Sequence, residues 1–248
     1  MESVYHQIQK TAIDIAKEFP APDFYSDYRH LYEASRIFFQ TDPIIARLRE
    51  FVEGYIENDY GHGMNHVIKV TIDSGALLLI EARAKGFAED FIRRRVLIVQ
   101  CAGLLHDIER KKKEHAVCGS RFARDLLQSY PLEPREIEDV RLSIRNHEAF
   151  KSVEEIHTTE GILVSDCLYD ADKFRWGPDN FTETVWDMLA FAGTPIEKFI
   201  DHYPRGIEGL SRIKDTFRTP TGKKYGPQFI DLGIAIGKVI YEFLKKSY

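Results

Sequence analysis

The sequence predicts an all-α protein, and two observations support this prediction. Most segments repeat apolar residues at a spacing near 3.6 residues, which is the period of an amphipathic helix. No sustained alternation of apolar and polar residues is present, and no Asn-Gly or Asp-Gly dipeptide marks a hairpin turn. A chain of 248 residues can also bury a core without a disulfide or a structural metal. We therefore expect a single helical domain over residues 1–248.

Residues that favour helix ends divide the chain into its helices. Thr41 or Asp42 caps a helix whose first residue is Pro43, and Asn65 is the expected cap of the next helix. That helix should stop at Gly86. In chain order, we predict helices over residues 3–19, from 43 onward, about 65–85, 88–108, 114–129, 133–147, 159–171, 180–190 and 195–202, then a connector near 218–222 and a long C-terminal helix.

Two of these helices have further features. The fourth contains "VLIVQCAGLLHDI", residues 96–108, and this apolarity predicts the most buried helix of the protein. Gly233 and Gly237 in the last helix suit close packing against another helix, either within the chain or across a homodimer contact.

Composition limits the classes of partner and the cell compartment. The formal net charge of −5 argues against general nucleic-acid binding, because such proteins are usually basic. No apolar run approaches the roughly 20 residues of a membrane span, and the N-terminus lacks the apolar core of a signal peptide. The three cysteines form no C-x-x-C pair and are expected to be reduced thiols. We therefore expect a cytoplasmic protein with no membrane partner.

The dipeptide His106-Asp107 is the first sign of chemistry. It follows a very apolar half-helix, and burying a charged carboxylate is costly unless something pairs with it. Adjacent residues on a helix point about 100° apart, so these two side chains cannot satisfy each other. A cation bound at the end of the helix could satisfy both.

Other histidines and aspartates also fall at predicted helix ends. These are His66, His115, His147 and the pair Asp170 and Asp172. A helical bundle can bring such ends to one point. Imidazole and carboxylate ligands without a thiolate suit Mn, Fe, Co, Ni or Zn, and Mg is also an option. The sequence therefore predicts a divalent-metal site.

The ordered set His66, His106-Asp107 and Asp172 resembles the HD-domain superfamily of metal-dependent phosphohydrolases. The surrounding segments "HVIKV", "AGLLHDIE" and "DADKF" also resemble the motifs of the family. The last of them favours Asp172 over Asp170 as the final ligand. The resemblance implies an HD-type helical bundle with its metal-binding core at about residues 60–175. Residues 1–58 and 176–248 would be flanking helices.

A second metal is also implied by the resemblance. His115 and His147 resemble the additional histidines of the two-metal branch, in which Asp107 would bridge both ions. The chain departs from the cyclic-dinucleotide branch, because Asn146 precedes His147 and "AFKSVEE" follows Glu148. A cyclic dinucleotide is therefore not expected, and one or two ions both stay open.

The resemblance implies hydrolysis of a phosphate ester or anhydride by attack of a metal-bound hydroxide. The small phosphorylated substrate could be a nucleotide. Asp107 and Glu109 are the candidate catalytic residues. Trp176 could stack on a base or pack in the core, as could Tyr169 and Phe174. The candidate substrate-binding residues are Arg110, Lys111, Arg145, Lys173, Arg175 and His62.

Two other functions remain as alternatives. One is a di-iron oxygenase of HD type, in which His115 and His147 would be iron ligands. The other is a catalytically silent module that senses a ligand, although such modules usually lose metal ligands and this chain keeps all four core positions.

Overall fold

The computed structural model of the protein describes residues 4–56 and 63–248. These two ranges contain no β-strand, so the predicted all-α fold is confirmed. A π-helical turn, Asn180–Thr184, precedes α10, and a 3-10 turn, Arg212–Asp215, precedes α12. The helices are α1 (Val4–Lys17), α2 (Asp23–Asp27), α3 (Arg29–Thr41), α4 (Pro43–Tyr55), α5 (Met64–Ala84), α6 (Glu89–Leu105), α7 (His115–Leu127), α8 (Pro134–Arg145), α9 (Thr159–Phe174), α10 (Val185–Ala192), α11 (Ile196–Ser211) and α12 (Pro220–Ser247).

The core is centred on a pair of helices rather than on one. In α5 every residue from Val70 to Ala82 is buried, and in α6 every residue from Arg95 to Leu105 is buried. The prediction of a single most buried helix at 88–108 was therefore incomplete. The two helices pack on each other, and α3, α8 and α9 cover them. Their ends are consequently held rigidly, and these ends carry His66 and His106.

The C-terminal helix packs against the N-terminal helix and against two helices of the second half of the chain. Helix α12 packs against α1, α9 and α11. A Cβ added at Gly233 would lie 2.6 Å from the backbone of Gly177, and one at Gly237 would lie 2.5 Å from the ring of Phe181. Both glycines therefore serve close packing within the chain. A homodimer stays a prediction, and these glycines give it no support.

Helices α2 and α3 were not predicted. The buried face of α3 is Leu31, Ser35 and Phe39, so a serine interrupts its apolar stripe. A small residue is needed here because α3 and α5 approach each other closely. The Ser35 hydroxyl donates to the Ile72 carbonyl at 2.7 Å and lies against Gly75 of α5. A small polar residue that permits close helix packing weakens the hydrophobic pattern from which a helix is recognised.

Some predicted helix boundaries differ from the structure and others agree with it. Helix α5 begins at Met64 with Gly63 as its cap residue, so Asn65 lies inside the first turn. The predicted connector at 218–222 is partly helical, because Thr219 caps α12 by accepting from the Gly222 amide. Asp42, one of the two predicted caps of α4, accepts from two backbone amides, so this prediction is confirmed. Gly86 has a φ of +74° beyond the end of α5, as a C-terminal glycine should.

Two of the three cysteines lie in the core. All three cysteines are free, and burial raises the pKa of the Cys101 thiol. Among the described residues, no helix combines the length and the apolarity needed to cross a bilayer. The domain limits predicted at residues 58 and 176 stay predictions.

The contact between α5 and α6 can be tested with one methyl group. A Cβ on Gly103 would lie 2.8 Å from the Thr71 Cα, so Gly103→Ala must push backbone apart. We expect a loss of about 1–3 kcal/mol in the free energy of unfolding, measured by urea denaturation. The matched control is Gly206→Ala in α11, where nothing lies within 4 Å and a gain of about 0.5–1 kcal/mol is expected. Equal stability of the two variants would contradict this packing.

Candidate metal centre

Three helix ends bring the four core candidates together. His66 lies in the first turn of α5, the His106-Asp107 pair follows α6, and Asp172 lies in the last turn of α9. His66 Nε2 is 3.1 Å from His106 Nε2 and 3.3 Å from Asp172 Oδ1. His106 Nε2 is 3.5 Å from Asp107 Oδ2. Ligands about 2.1 Å from one ion lie roughly 3–4 Å from each other, so these atoms could share a cation.

A second group of ligands begins at the other oxygen of the same carboxylate. Asp107 Oδ1 is 3.6 Å from His115 Nε2 and 3.5 Å from His147 Nε2. His115 is the first residue of α7, and His147 follows the end of α8 by two residues. Both groups are buried and each could hold a metal ion. Asp107 therefore lies where a bridging ligand would be needed.

Backbone carbonyls fix the orientation of two of the imidazoles. His106 Nδ1 is 2.7 Å from the Gly103 carbonyl, and His147 Nδ1 is 2.6 Å from the Ile144 carbonyl. A carbonyl only accepts hydrogen bonds, so each Nδ1 carries the proton. The Nε2 lone pairs are then available to a cation. Such outer hydrogen bonds are typical of histidines that bind metals.

A hydrogen bond from Arg110 shows which ring nitrogen of a third imidazole, that of His115, lacks a proton. Arg110 Nη1 is 2.9 Å from His115 Nε2, and a guanidinium can only donate. His115 Nε2 is therefore the acceptor, and its lone pair would bind a cation only after the Arg110 guanidinium turned aside. Burial lowers the pKa of His115 to about 4, which the opposing effect of Asp107 does not cancel. Burial likewise lowers the pKa of His106 to about 4. Both imidazoles are neutral at neutral pH, as a metal ligand must be.

The two carboxylates of the centre differ in their partners. Lys173 Nζ donates to Asp172 Oδ2 at 2.5 Å, and both residues are buried. Burial alone would raise the pKa of Asp172, but the Lys173 ammonium and the two nearby imidazoles hold it well below its usual range. Asp172 is therefore ionised and oriented before any cation binds.

Asp170 has a structural position instead. Its carboxylate accepts from the amides of Arg218 and Thr219, each at 2.8 Å, and from the Thr219 hydroxyl at 2.7 Å. Thr219 is the cap residue of α12, so Asp170 ties α12 to α9. The geometry agrees with the choice of Asp172 over Asp170 as the candidate ligand.

A cavity of about 450 Å³ opens above the two groups of ligands. Three of the predicted substrate-binding residues, Arg110, Lys173 and Arg175, line it. Arg175 is buried, donates to the Tyr25 hydroxyl at 2.7 Å and forms ion pairs with Asp73 and Asp179. Its guanidinium is therefore fixed in the cavity wall.

The remaining candidates lie elsewhere. Glu109 pairs with Lys112 at 3.0 Å and accepts from the Tyr55 hydroxyl at 3.4 Å, and it is not among the described residues that line the cavity. Arg145 donates to the Ser152 carbonyl at 3.5 Å and Lys111 is exposed, and neither lines the cavity. His62 lies outside the described residues.

The sequence did not single out several residues that surround the cavity. Asp73 and Tyr25 orient Arg175 but lie 102 and 150 positions away from it, so no local pattern connects them. Asn180, Thr184, Val185 and Met188 line the cavity from the π-helical turn and α10. Only the three-dimensional arrangement of α5, α9 and α10 shows these relationships.

Comparison with known proteins gives one structural likeness. No protein-family model matches the chain, and no curated protein matches it either. The chain is similar to the crystal structure of a predicted HD superfamily hydrolase from an uncultured Thermotogales bacterium. The two chains are 18% identical, the match covers 82% of this chain and 93% of that one, and the TM-score is 0.48.

The two groups of ligands predict the metal stoichiometry. We expect wild-type protein dialysed against Mn²⁺ to bind two ions per chain. The manganese content per chain would be measured by elemental mass spectrometry. His147→Ala should bind about one, because only the second group loses a ligand. The control is His202→Ala, an exposed histidine of α11, which should keep two. Two ions in His147→Ala would contradict the second group.

The two aspartates of α9 should separate metal binding from stability. Asp172→Asn should lose Mn²⁺ from the first group while the protein remains folded. Asp170→Asn should keep its metal but lose at least about 1.5 kcal/mol in the free energy of unfolding, because a buried charged acceptor is replaced. Loss of metal in Asp170→Asn, with Asp172→Asn unaffected, would reverse the two roles.

Proposed function

We propose that the protein is a metal-dependent phosphohydrolase that cleaves an ester or anhydride bond of a small phosphorylated molecule. The observation that carries this proposal is the position of Asp107 between two buried groups of ligands at the base of a cavity. Arg110 lies in the same wall and can donate hydrogen bonds to a phosphoryl oxygen, and bound metal ions would supply most of the positive charge that a phosphoryl group requires. The order of the ligands along the chain, which resembles the HD-domain superfamily, supports the same proposal.

The residues fit a divalent transition metal. His66, His106, Asp107 and Asp172 would hold one ion, and Asp107, His115 and His147 would hold a second. Metals of this kind supply Lewis-acid activation of water and neutralise charge on the phosphoryl oxygens. Neutral imidazoles with carboxylates favour Mn, Fe, Co, Ni or Zn, and Mg would be a poorer match.

The chain itself would orient and neutralise the phosphoryl group. Arg110 is 37% exposed at its side chain, and its Nη1 lies 3.9 Å from Asp107 Oδ1. It can therefore donate to a phosphoryl oxygen without leaving the site. Lys173 and Arg175 also line the cavity, and each is held there by an ion pair with neighbouring carboxylates. Asp107 would accept a hydrogen bond from the attacking water and align it with phosphorus.

The size of the cavity supports a small substrate. A volume of about 450 Å³ falls in the range of about 300–1,000 Å³ that is typical of sites for small molecules. A nucleotide is one candidate that such a volume admits.

One observation also keeps an oxidative function as a second candidate. The group formed by Asp107, His115 and His147 would equally complete a site for two irons. Protein purified without oxygen would then contain redox-active iron. A colourless protein that holds only Mn or Ni would count against this candidate.

Hydrolysis should depend on the shared carboxylate. Purified protein loaded with Mn²⁺, Co²⁺, Ni²⁺ or Mg²⁺ would be assayed on phosphomonoesters, phosphodiesters and nucleotides. Loss of an outer hydrogen-bond partner of a metal ligand costs about 10–100-fold, so His106→Ala and Asp107→Ala should lower kcat/KM by more than about 100-fold. The matched control, His202→Ala, should keep wild-type activity. Activity that survives in both His106→Ala and Asp107→Ala would contradict the proposed site.

A further inference from the structure

The cavity above the ligands has two chemically different sides. One side holds the ligands together with Arg110, Lys173, Arg175 and the carboxylate of Glu148, whose Oε1 lies 4.0 Å from His115 Nδ1. The other side, which we call the apolar mouth, is formed by Phe150, Trp176, Val185 and Met188. Among the described residues, the apolar mouth contributes no charged group. Asn180 and Thr184 also line the cavity. A molecule that fills the cavity would therefore meet charged groups at one end and mainly apolar surface at the other.

The apolar mouth is unusually exposed. The residues Phe150, Trp176 and Met188 are 59%, 39% and 42% exposed. They are three of the eleven large apolar side chains that are exposed in the described part of the chain, and all three border one cavity. Clustered exposed apolar surface beside a pocket is typical of a site that binds a ligand.

Phe150 is held in an unfavourable backbone conformation. Its φ is +62°, and no other non-glycine residue in the described ranges has a positive φ. A bulky residue rarely adopts this conformation, and strained residues cluster at functional sites. The Arg212 guanidinium lies 4.8 Å from the centre of the Phe150 ring, which helps to hold the ring in place. This strained conformation places the Phe150 side chain in the wall of the cavity.

Lys173 lies between Trp176 and the candidate metal ligands. Lys173 Nζ lies 5.5 Å from the centre of the Trp176 ring and 2.5 Å from Asp172 Oδ2. One ammonium group therefore touches a candidate ligand and faces the indole. Lys173 therefore links the candidate ligands to the apolar mouth.

We propose that the cavity takes a phosphate monoester whose alcohol portion is an uncharged, largely apolar group containing an aromatic ring. Trp176 and Phe150 are the residues that determine this specificity. The inference rests on the proposed phosphohydrolase function and names its substrate class. Hydrolysis consumes one water, breaks the bond between phosphorus and the ester oxygen, and releases phosphate and the alcohol. No other reactant is needed.

Two esters of primary alcohols test the specificity. Protein loaded with Mn²⁺ would be assayed on 2-phenylethyl phosphate and on 2-hydroxyethyl phosphate. Stacking on an aromatic side chain favours binding, so we expect kcat/KM at least about tenfold higher for the phenylethyl ester. Trp176→Ala and Phe150→Ala should each lower kcat/KM for that ester by about tenfold, mainly through KM. Their effect on the hydroxyethyl ester should stay below about threefold.

The control variant is Phe191→Ala, which removes an exposed phenylalanine of α10 that does not line the cavity and should alter neither rate. Circular dichroism would establish that each variant is folded. Equal kcat/KM for the two esters would overturn the specificity while leaving the phosphohydrolase function intact. A kcat/KM for 5′-AMP that exceeds the value for the phenylethyl ester would also overturn it, because a nucleoside is largely polar.

A binding measurement keeps the inference testable if no phosphate ester is hydrolysed. Calorimetry on the Mn²⁺-loaded protein would compare 2-phenylethylphosphonate with 2-hydroxyethylphosphonate. We expect the phenyl compound to bind about tenfold more tightly, and Trp176→Ala should remove the difference. Equal affinities would overturn the apolar mouth as a binding site, whereas tight binding without any hydrolysis would contradict only the proposed reaction.

Discussion

The structure depends on the burial of one carboxylate, that of Asp107. Its two oxygens face different pairs of imidazoles, and its side chain is almost inaccessible to water. An ionised group in such a position is costly unless cations compensate it. The cost explains why so many elements end here: α5, α6, α7 and α9 each begin or end beside this carboxylate, and the chain just beyond α8 brings His147 to it.

The helical core makes this convergence rigid. The stretches Val70–Ala82 and Arg95–Leu105 are continuously buried, so the ends of α5 and α6 cannot shift independently. Hydrogen bonds from two imidazoles to backbone carbonyls then fix the ring nitrogens that face Asp107. Packing therefore holds the ligands in place before a cation binds, so the entropic cost of binding is lower.

Sequence patterns predicted the residues at the centre better than those around it. His66, the His106-Asp107 pair and Asp172 could be found because each occurs in a distinctive local word, and the all-α class followed from periodicity alone. Helix α3 was missed because close packing replaces an apolar residue by Ser35. The environment of Arg175 was beyond prediction, because its partners Tyr25 and Asp73 are distant in the chain.

The most direct test is a crystal structure of the protein grown with Mn²⁺, with the ions located by anomalous scattering. The account predicts two peaks about 3.5–4 Å apart, each about 2.0–2.2 Å from a different oxygen of Asp107. One would contact His66, His106 and Asp172, and the other His115 and His147. A structure with no ion at Asp107, or with His66 and Asp172 turned away from the ion, would contradict the account.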